Sequence, residues 1–294
     1  MEISKVGVLG CGIMGHGIAQ VAAQSGYEVV VREVEQGILD KGLARIEKQL
    51  GRAVEKGKLE QSDAESVRGR LQGTLDYADL GDCDLLLEAI TEDLHLKLEM
   101  WRELDGIAKQ SALCATNTSS LPVIDQAAAT SRPHRFVGLH FFNPAQMMPL
   151  LEVIRTVTTE QQAFDEGMAF GESLGKLCVP AKDKTGFIVN RLLVPFLLDA
   201  VRAYEEGVGS IEQIDAAMKA GANHPMGPFT LLDFVGLDTT KSIADIMFDE
   251  YRERRFAAPP TLRKMVAAGF YGRKSGRGFY DYSGEQPVAA DPGL

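Results

Sequence analysis

The motif G-x-G-x-x-G constrains the fold more than any other feature of the sequence. Gly10, Gly12 and Gly15 lie between an apolar, strand-like run, VGVL, and a stretch with helical spacing from about Ile13 to Gln24. In that setting the first glycine permits a tight turn, the second lets backbone approach a pyrophosphate, and the third lets the helix pack closely on the strand. The sequence therefore predicts a dinucleotide-binding strand, turn and helix.

A carboxylate follows the second strand-like run, EVVV. Glu33 lies close to the position, about 20 residues after the glycines, where such units carry an acceptor for the ribose hydroxyls. A carboxylate there favours NAD over NADP because it repels the extra phosphate, although Arg32 beside it weakens that argument. A glycine-rich turn without a ligand is the alternative interpretation. We expect NAD as the cofactor.

Strand-like and helical patterns alternate from Val6 to about Lys182. The apolar runs are VGVLG, EVVV, CDLLLEAI, ALCAT, FVGLHFF, LLEVIR and LCVPA. This alternation predicts an α/β fold of the Rossmann type, with a doubly wound and largely parallel sheet. After DKTGFIVNR the apolar spacing is helical, which predicts an all-helical C-terminal domain. We expect a nucleotide-binding domain over residues 1–184 and a helical domain over 185–294.

The overall composition argues against several classes of partner. A formal net charge of -10 disfavours general nucleic-acid affinity, which needs a basic surface. The most apolar later stretch, Leu192 to Leu198, is interrupted by Pro195 and falls short of the roughly 20 residues of a membrane helix. The widely spaced cysteines and histidines predict neither disulfides nor a metal site. With no export signal at Met1 to Lys5, we expect a cytoplasmic protein.

A helical insertion at about residues 40–70 carries a basic stripe. Its cations recur every three or four residues and share one helix face: Lys41, Arg45, Lys48, Arg52 and Lys56. Apolar side chains, including Ile46 and Leu50, occupy the opposite face. The stripe is either a solvated helix face or a site for a multiply phosphorylated ligand, and the spacing alone does not decide between them.

Polar side chains follow several strand-like runs, where ligands bind in open α/β sheets. They are Glu92, Lys97, Asn117, Thr118, Ser119, Ser120, His140, Asn143 and, on the next run, Glu152. Singly, each has a structural interpretation, since serine and asparagine form turns and caps and a histidine at a strand end is often packed. Together they offer a base, an orienting carboxylate, hydroxyls and amides, which indicates proton transfer beside a cofactor that transfers hydride.

Further motifs, each present once, follow one another along both predicted domains. They are GVLGCGIMGHGIAQ, NTSSL, GLHFFNPA, LLEVI, TGFIVNRLLVP, GANHPMGP, DFVGLDTT and GRKSGRGFYDY. From Lys5 to about Tyr282 the chain resembles the L-3-hydroxyacyl-CoA dehydrogenases, especially the short bacterial 3-hydroxybutyryl-CoA dehydrogenases. The resemblance implies NAD-dependent interconversion of (S)-3-hydroxyacyl-CoA and 3-oxoacyl-CoA with a short acyl chain. It also implies a homodimer formed through the helical domain.

The resemblance implies roles for individual residues. It makes His140 the general acid and base, oriented by Glu152, and places Ser119 and Asn190 at the reacting oxygen or the thioester of the substrate. The implied cofactor contacts are Gly10, Gly12, Ile13, Met14, Gly15, Glu33, Glu92, Lys97, Ser119, Asn143 and Lys274. The implied contacts to coenzyme A are Arg52, Lys56 and Ser119, which gives the basic stripe a target.

Four positions depart from the family pattern. Cys11 replaces the usual alanine, and Glu33 replaces the more common aspartate. Gln146 and Pro149 stand where relatives commonly have proline and lysine, and Pro149 resembles the related gulonate dehydrogenase and lambda-crystallin branch. A sugar-acid dehydrogenase of the L-gulonate type is therefore a second hypothesis. A third is a non-catalytic nucleotide-binding or structural relative, which would be expected to lose part of the predicted catalytic set.

Overall fold

A computed structural model describes residues 3–290, which divide into two compact units. The first unit ends at Lys184 and the second begins at Thr185. Residues 1–2 and 291–294 of the two expected domains lie outside the described part of the chain. Each unit encloses its own apolar core.

The first unit is built on an eight-stranded sheet. Its strands are β1 (Lys5–Leu9), β2 (Glu28–Arg32), β3 (Leu71–Thr74), β4 (Leu85–Glu88), β5 (Leu113–Thr116), β6 (Phe136–Phe141), β7 (Leu150–Arg155) and β8 (Leu177–Lys182). Its helices are α1 (Gly15–Gln24), α2 (Gln36–Glu55), α3 (Gln61–Gly69), α4 (Leu94–Asp105), α5 (Val123–Ala127) and α6 (Gln161–Ser173), with 3-10 turns at Tyr77–Leu80 and Pro133–Arg135. The strand order β3-β2-β1-β4-β5-β6-β7-β8 changes direction at β1, so the Rossmann-type prediction is confirmed.

One strand pair in this sheet is antiparallel. β7 runs against β6 and parallel to β8, while each neighbouring pair in the series β3-β2-β1-β4-β5-β6 is parallel. In the antiparallel register His140 lies directly opposite Glu152. Glu152 therefore reaches the carboxyl edge of β6 although it lies inside its own apolar run.

Two local features differ from the sequence expectations. The first helix begins at Gly15 rather than at about Ile13, and Met14 is its N-cap. The strand β3 was not expected, because its segment LQGT shows no apolar run. β3 is an edge strand without a buried side chain, so the pattern that identifies buried strands is missing there.

The second unit is helical, as predicted, with one short hairpin. Its helices are α7 (Val189–Glu205), α8 (Ile211–Gly221), α9 (Pro228–Val235), α10 (Leu237–Tyr251) and α11 (Pro260–Ala267), with 3-10 turns at Arg254–Phe256 and Arg273–Ser275 and a hairpin of β9 (Tyr280–Asp281) and β10 (Val288–Ala289). The Asp233 carboxylate accepts hydrogen bonds from the backbone N–H groups of Phe279 and Tyr280, which anchors this hairpin to α9. Within residues 3–290, every helix is too short or too polar to cross a membrane.

Candidate active site

The glycine turn between β1 and α1 has the geometry that a pyrophosphate requires. Gly10 has φ of 96°, and a Cβ there would lie 2.7 Å from the carbonyl oxygen of Ala89. A Cβ on Gly15 would collide with the carbonyl oxygen of Gly10, whereas a Cβ on Gly12 would meet no atom within 4 Å. The turn is thus closed beneath Gly15 and open at Gly12. These residues fit a bound dinucleotide.

The carboxylate after β2 is held against this turn. Glu33 is buried, and its Oε1 accepts a hydrogen bond of 2.6 Å from the backbone N–H of Cys11, while its Oε2 accepts one of 3.0 Å from Val34. The neighbouring Arg32 guanidinium lies 3.8 Å from the centre of the Tyr77 ring. Arg32, whose charge weakened the argument for NAD over NADP, therefore makes a cation–π contact with Tyr77.

Cys11 acts as a packing residue in the turn. It is buried, and its sulfur faces Gly42 of α2, where a Cβ would collide with it. Burial, together with the nearby carboxylate of Glu33, raises the pKa of the thiol to about 12. Cys11 therefore stays protonated and unreactive at neutral pH, so its substitution for alanine affects packing of α2 on the turn rather than chemistry.

His140 and Glu152 form a buried pair at the edge between β6 and β7. His140 Nδ1 lies 2.7 Å from Glu152 Oε2, and the two residues are 3% and 0% exposed. Because a carboxylate oxygen accepts, the ring proton lies on Nδ1. His140 Nε2 lies 3.1 Å from Ser119 Oγ, so a carboxylate, an imidazole and a hydroxyl follow one another, an arrangement that can transfer a proton.

A second carboxylate holds the segment that carries Ser119. We call residues 117–121 the Ser119 loop. Glu92 Oε1 accepts hydrogen bonds from Thr118 Oγ1 at 2.5 Å and from the backbone N–H of Ser119 at 2.9 Å. Burial tends to raise the pKa of Glu92, but Lys97 and these donors outweigh it and hold that pKa below its usual value. Glu92 is thus an ionised anchor for the loop.

Lys97 is buried between two carboxylates. Its Nζ lies 2.5 Å from Glu88 Oε1 and 3.2 Å from Glu92 Oε2, and the side chain is 1% exposed. Glu88 also accepts hydrogen bonds from Thr116 Oγ1 at 2.5 Å and from the Ile90 N–H at 2.7 Å. Burial raises the pKa of Glu88 despite the nearby ammonium. Glu88 was not among the predicted site residues because it lies within the apolar run CDLLLEAI rather than after it. An acidic residue inside an apolar run is the signal that could have identified it.

The first unit thus brings together most of the predicted strand-end residues. Asn117 Oδ1 accepts a 2.9 Å hydrogen bond from the Phe141 N–H, which ties the end of β5 to the end of β6. Asn143 is exposed in the loop after β6. Asn190 and Lys274 lie in the second unit: Asn190 is half-buried near the start of α7, and Lys274 Nζ is 2.6 Å from an oxygen of Asp238.

The basic stripe is exposed along α2. Lys41, Arg45, Lys48 and Arg52 lie on the helix, Lys56 is its C-cap, and all five side chains are exposed. Ile46 and Leu50 on the other face are buried in the core. The predicted amphipathic arrangement is therefore present. Among residues 3–290 no three histidine, cysteine or acidic side chains are grouped to hold a metal ion.

Comparison with known proteins covers nearly the whole chain. Residues 5–184 match the family model "3-hydroxyacyl-CoA dehydrogenase, NAD binding domain", and residues 186–282 match "3-hydroxyacyl-CoA dehydrogenase, C-terminal domain". The chain is 47% identical to a 3-hydroxybutyryl-CoA dehydrogenase of Mycobacterium tuberculosis, covering 95% of this chain and 99% of that protein. It is 46% identical to the human mitochondrial hydroxyacyl-coenzyme A dehydrogenase, covering 95% and 91%.

A solved structure agrees with these matches. The (S)-3-hydroxybutyryl-CoA dehydrogenase of Ralstonia eutropha superposes with a TM-score of 0.93 at 40% identity, covering 96% of this chain and 100% of that chain. The agreement extends over both units of the fold. The family resemblance carried by the sequence motifs is confirmed.

Proposed function

This chain belongs to the 3-hydroxyacyl-CoA dehydrogenase family, and we propose that it interconverts (S)-3-hydroxyacyl-CoA and 3-oxoacyl-CoA of short chain length. The substrate pair we propose is 3-hydroxybutyryl-CoA and acetoacetyl-CoA, supported by the names of the full-length relatives. Family membership makes the chain an oxidoreductase with a nicotinamide dinucleotide cofactor, which sets aside the non-catalytic hypothesis. The observation that carries the chemistry is the buried contact between His140 and Glu152.

His140 is the proposed general acid and base. With its proton on Nδ1 facing Glu152, the ring presents Nε2 toward Ser119. In the oxidation, Nε2 accepts the proton of the 3-hydroxyl group while C3 loses hydride, for which the nicotinamide is the acceptor when it is bound. Glu152 stabilises the imidazolium that results, and in the reduction the same imidazolium returns the proton.

Ser119 and Asn190 are the proposed partners of the substrate oxygen. The Ser119 hydroxyl lies 3.1 Å from His140 Nε2, so a group that hydrogen-bonds to both would be held against the base. Glu92 fixes the Ser119 backbone, which limits the positions that the hydroxyl can adopt. Asn190 is proposed from the family motif IVNR in the second unit.

We propose NAD rather than NADP as the cofactor. The Glu33 carboxylate is fixed next to the glycine turn, where it would accept hydrogen bonds from ribose hydroxyls and repel a phosphate. Arg32, the cation that could neutralise that phosphate, lies over Tyr77. The remaining proposed contacts are Gly10, Gly12, Ile13, Met14, Gly15, Glu92, Lys97, Ser119, Asn143 and Lys274.

Coenzyme A is proposed to bind along the basic stripe. Arg52 and Lys56 are exposed cations near the end of α2, in a protein whose formal net charge is -10. Local positive charge on an acidic protein favours a ligand with several phosphates. Ser119 is the proposed contact at the other end of the substrate. No nucleic-acid or membrane partner is proposed.

Pro149 favours a second candidate, a sugar-acid dehydrogenase. It lies directly before β7, where relatives commonly carry a lysine, and its carbonyl oxygen accepts a 2.8 Å hydrogen bond from Leu177. A proline there supplies no cation for an acyl-CoA. The two candidates differ in whether coenzyme A is required.

Initial rates with NADH or NADPH against 3-oxoacyl-CoA substrates of increasing length test the proposal. We expect acetoacetyl-CoA to be reduced with NADH, with slower rates for NADPH and for longer chains. Oxidation of L-gulonate by NAD without reduction of acetoacetyl-CoA would instead establish the second candidate. Equal rates with both cofactors would contradict the role given to Glu33.

We also propose a homodimer assembled through the helical second unit, in the cytoplasm. The support for the dimer is the family resemblance of the motifs in residues 186–282. Light scattering on the purified protein should give twice the mass of the chain, and a monomer mass would contradict this part of the proposal.

A further inference from the structure

A chain of three polar side chains joins the glycine turn, α2 and the loop after His140. His16 Nδ1 lies 2.6 Å from the carbonyl oxygen of Gly12, and His16 Nε2 lies 3.2 Å from Gln49 Nε2. Gln146 Nε2 donates a 2.6 Å hydrogen bond to Gln49 Oε1. We call His16, Gln49 and Gln146 the relay, and residues 142–149 the substrate loop.

The hydrogen bonds of the relay run in one direction. The Gly12 carbonyl can only accept, so His16 carries its proton on Nδ1 and accepts at Nε2. Gln49 therefore donates through Nε2 to the histidine and accepts at Oε1 from Gln146. Each side chain in the relay fixes the orientation of the next one.

The relay crosses surfaces that are already in close contact. A Cβ on Gly17 of α1 would lie 2.6 Å from Gln146 Oε1 and 3.2 Å from the Cβ of Ala145. The substrate loop is thus packed directly on the helix that follows the glycine turn. Gln49 is half-buried on α2, the helix that carries Arg52.

The opposite side of the substrate loop is held separately. Lys176 is buried, and its Nζ donates hydrogen bonds of 2.6 Å and 2.8 Å to the carbonyl oxygens of Ala145 and Met148. Those bonds fix the loop backbone to the segment before β8. The hydrogen bond between Gln146 and Gln49 links the loop to the glycine turn and to α2.

We propose that Gln49 and Gln146 are positioning residues that couple cofactor binding to acyl-CoA binding. The inference rests on the proposed function, which places the cofactor at Gly12, coenzyme A on α2 and the reacting group beside His140. A ligand that orders the glycine turn orders His16, and through the relay it orders Gln49 on α2 and Gln146 in the substrate loop. Each ligand then binds more tightly when the other is present.

The test measures the dissociation constant of NADH with and without acetyl-CoA, which carries coenzyme A but no 3-oxo group to reduce. In the wild-type protein we expect acetyl-CoA to tighten NADH binding by about fivefold, a typical coupling between two sites. Gln146→Met and Gln49→Met should each abolish this coupling. NADH binding alone should change little in Gln146→Met, because His16 still faces Gly12.

Gln61→Met provides the matched control. Gln61 is an exposed residue of α3 that hydrogen-bonds to Glu65, so its variant should keep the wild-type coupling. The double variant of Gln49 and Gln146 should be no worse than the single ones, since both remove the same contact. If Gln146→Met does not fold, Gln49→Met breaks that contact from the other side.

Two results would overturn this inference while leaving the proposed function intact. In the first, NADH and acetyl-CoA bind independently to the wild-type protein. In the second, the coupling persists in both glutamine variants. A wild-type protein that binds neither NADH nor acetyl-CoA would overturn the proposed function as well. Loss of coupling in the control would also count against the relay, because that residue lies outside it.

Discussion

The strand β4 has a buried carboxylate at each end, and the pKa values of the two are shifted in opposite directions. Asp84, directly before the strand, accepts hydrogen bonds from the backbone N–H groups of Ser4 and Lys5, from Ser4 Oγ and from Lys109. Burial alone would raise the pKa of Asp84, but these donors lower it well below its usual value. At the other end, burial raises the pKa of Glu88.

We infer that the two ends of the strand differ in role, with Asp84 serving stability and Glu88 supporting the proposed site. Asp84 has several donors to itself, so its charged form is favoured and stabilises the fold. Glu88, which is buried, shares the single ammonium of Lys97 with Glu92, so the buried charge of Glu88 is only partly compensated. In the proposed function this cluster serves the chemistry, because Glu92 holds the Ser119 loop beside His140.

The largest expected effect lies at the carboxyl end. His140→Gln should lower kcat by about 10² to 10⁴, the usual contribution of a positioned acid or base. NADH binding should remain nearly unchanged, since the glycine turn is intact. Steady-state kinetics measure kcat, and titration with NADH measures its dissociation constant. His95→Gln, at an exposed histidine of α4, is the control; near-normal turnover in His140→Gln would refute the assignment.

Glu88→Gln tests whether the buried cluster serves the site. With Glu88 neutral, Lys97 pairs with Glu92 alone, and we expect the Ser119 loop to shift. Turnover should fall by roughly tenfold to a hundredfold, because a displacement of about 1 Å can cost 10²-fold. The pH profile of kcat and the value of KM should be compared with Glu99→Gln, at an exposed acid of α4, the helix that carries Lys97. Unchanged kcat would assign Glu88 a purely structural role.

Asp84→Asn should affect stability and leave activity unchanged. Loss of charge-assisted hydrogen bonds should lower the free energy of unfolding by about 1.5 to 3 kcal/mol, measured by urea denaturation at pH 7. Asp249→Asn, at an exposed residue of the second unit, should cost less than about 0.5 kcal/mol. A large loss of kcat in Asp84→Asn would contradict the conclusion that Asp84 serves stability alone.

The stabilities of Asp84→Asn and Glu88→Gln, each relative to the wild type, should depend on pH in opposite directions. Since the pKa of Asp84 is lowered in the fold, the stability it provides is present above its ordinary pKa of 3.8 and is lost as the pH falls below it. Since the pKa of Glu88 is raised, its contribution to stability declines as the pH rises above 4.5. Unfolding free energies relative to the wild type should therefore slope in opposite directions; parallel slopes would contradict the comparison.

The smallest effect should come from Ser4→Ala. This change removes one hydroxyl donor to Asp84 and keeps the backbone donors, so we expect a loss of about 0.5 to 1 kcal/mol in unfolding free energy with unchanged kcat. Combined with Asp84→Asn, the serine change should cost almost nothing more. Full additivity would show that the two side chains do not act together.

The features with strong local patterns could be predicted from the sequence. The glycine turn, the apolar strands and the amphipathic α2 each have a period or a motif that fixes their structure. His140 and Ser119 could be found because they follow apolar runs at the edge where ligands bind. Glu33 could be found by its distance from the glycines.

Other features depend on contacts between distant segments. The segment Leu71–Thr74 becomes a strand only by pairing with β2, and its own residues show no apolar pattern. The reversal of β7 is not visible in its composition, although it places Glu152 opposite His140. The hydrogen-bond partners of Glu88 and Gln146 lie on other elements of the fold, so these contacts could not be predicted from a local sequence pattern.

The antiparallel register of β6 and β7 has a consequence for redesign of the enzyme. His140 and Glu152 are fixed by the ladder of the sheet, while the residues between them connect the two strands. The departures at Gln146 and Pro149 both fall in that connection. We therefore expect that side chains of this connection can be exchanged to alter substrate choice while the proposed proton-transfer pair stays in register.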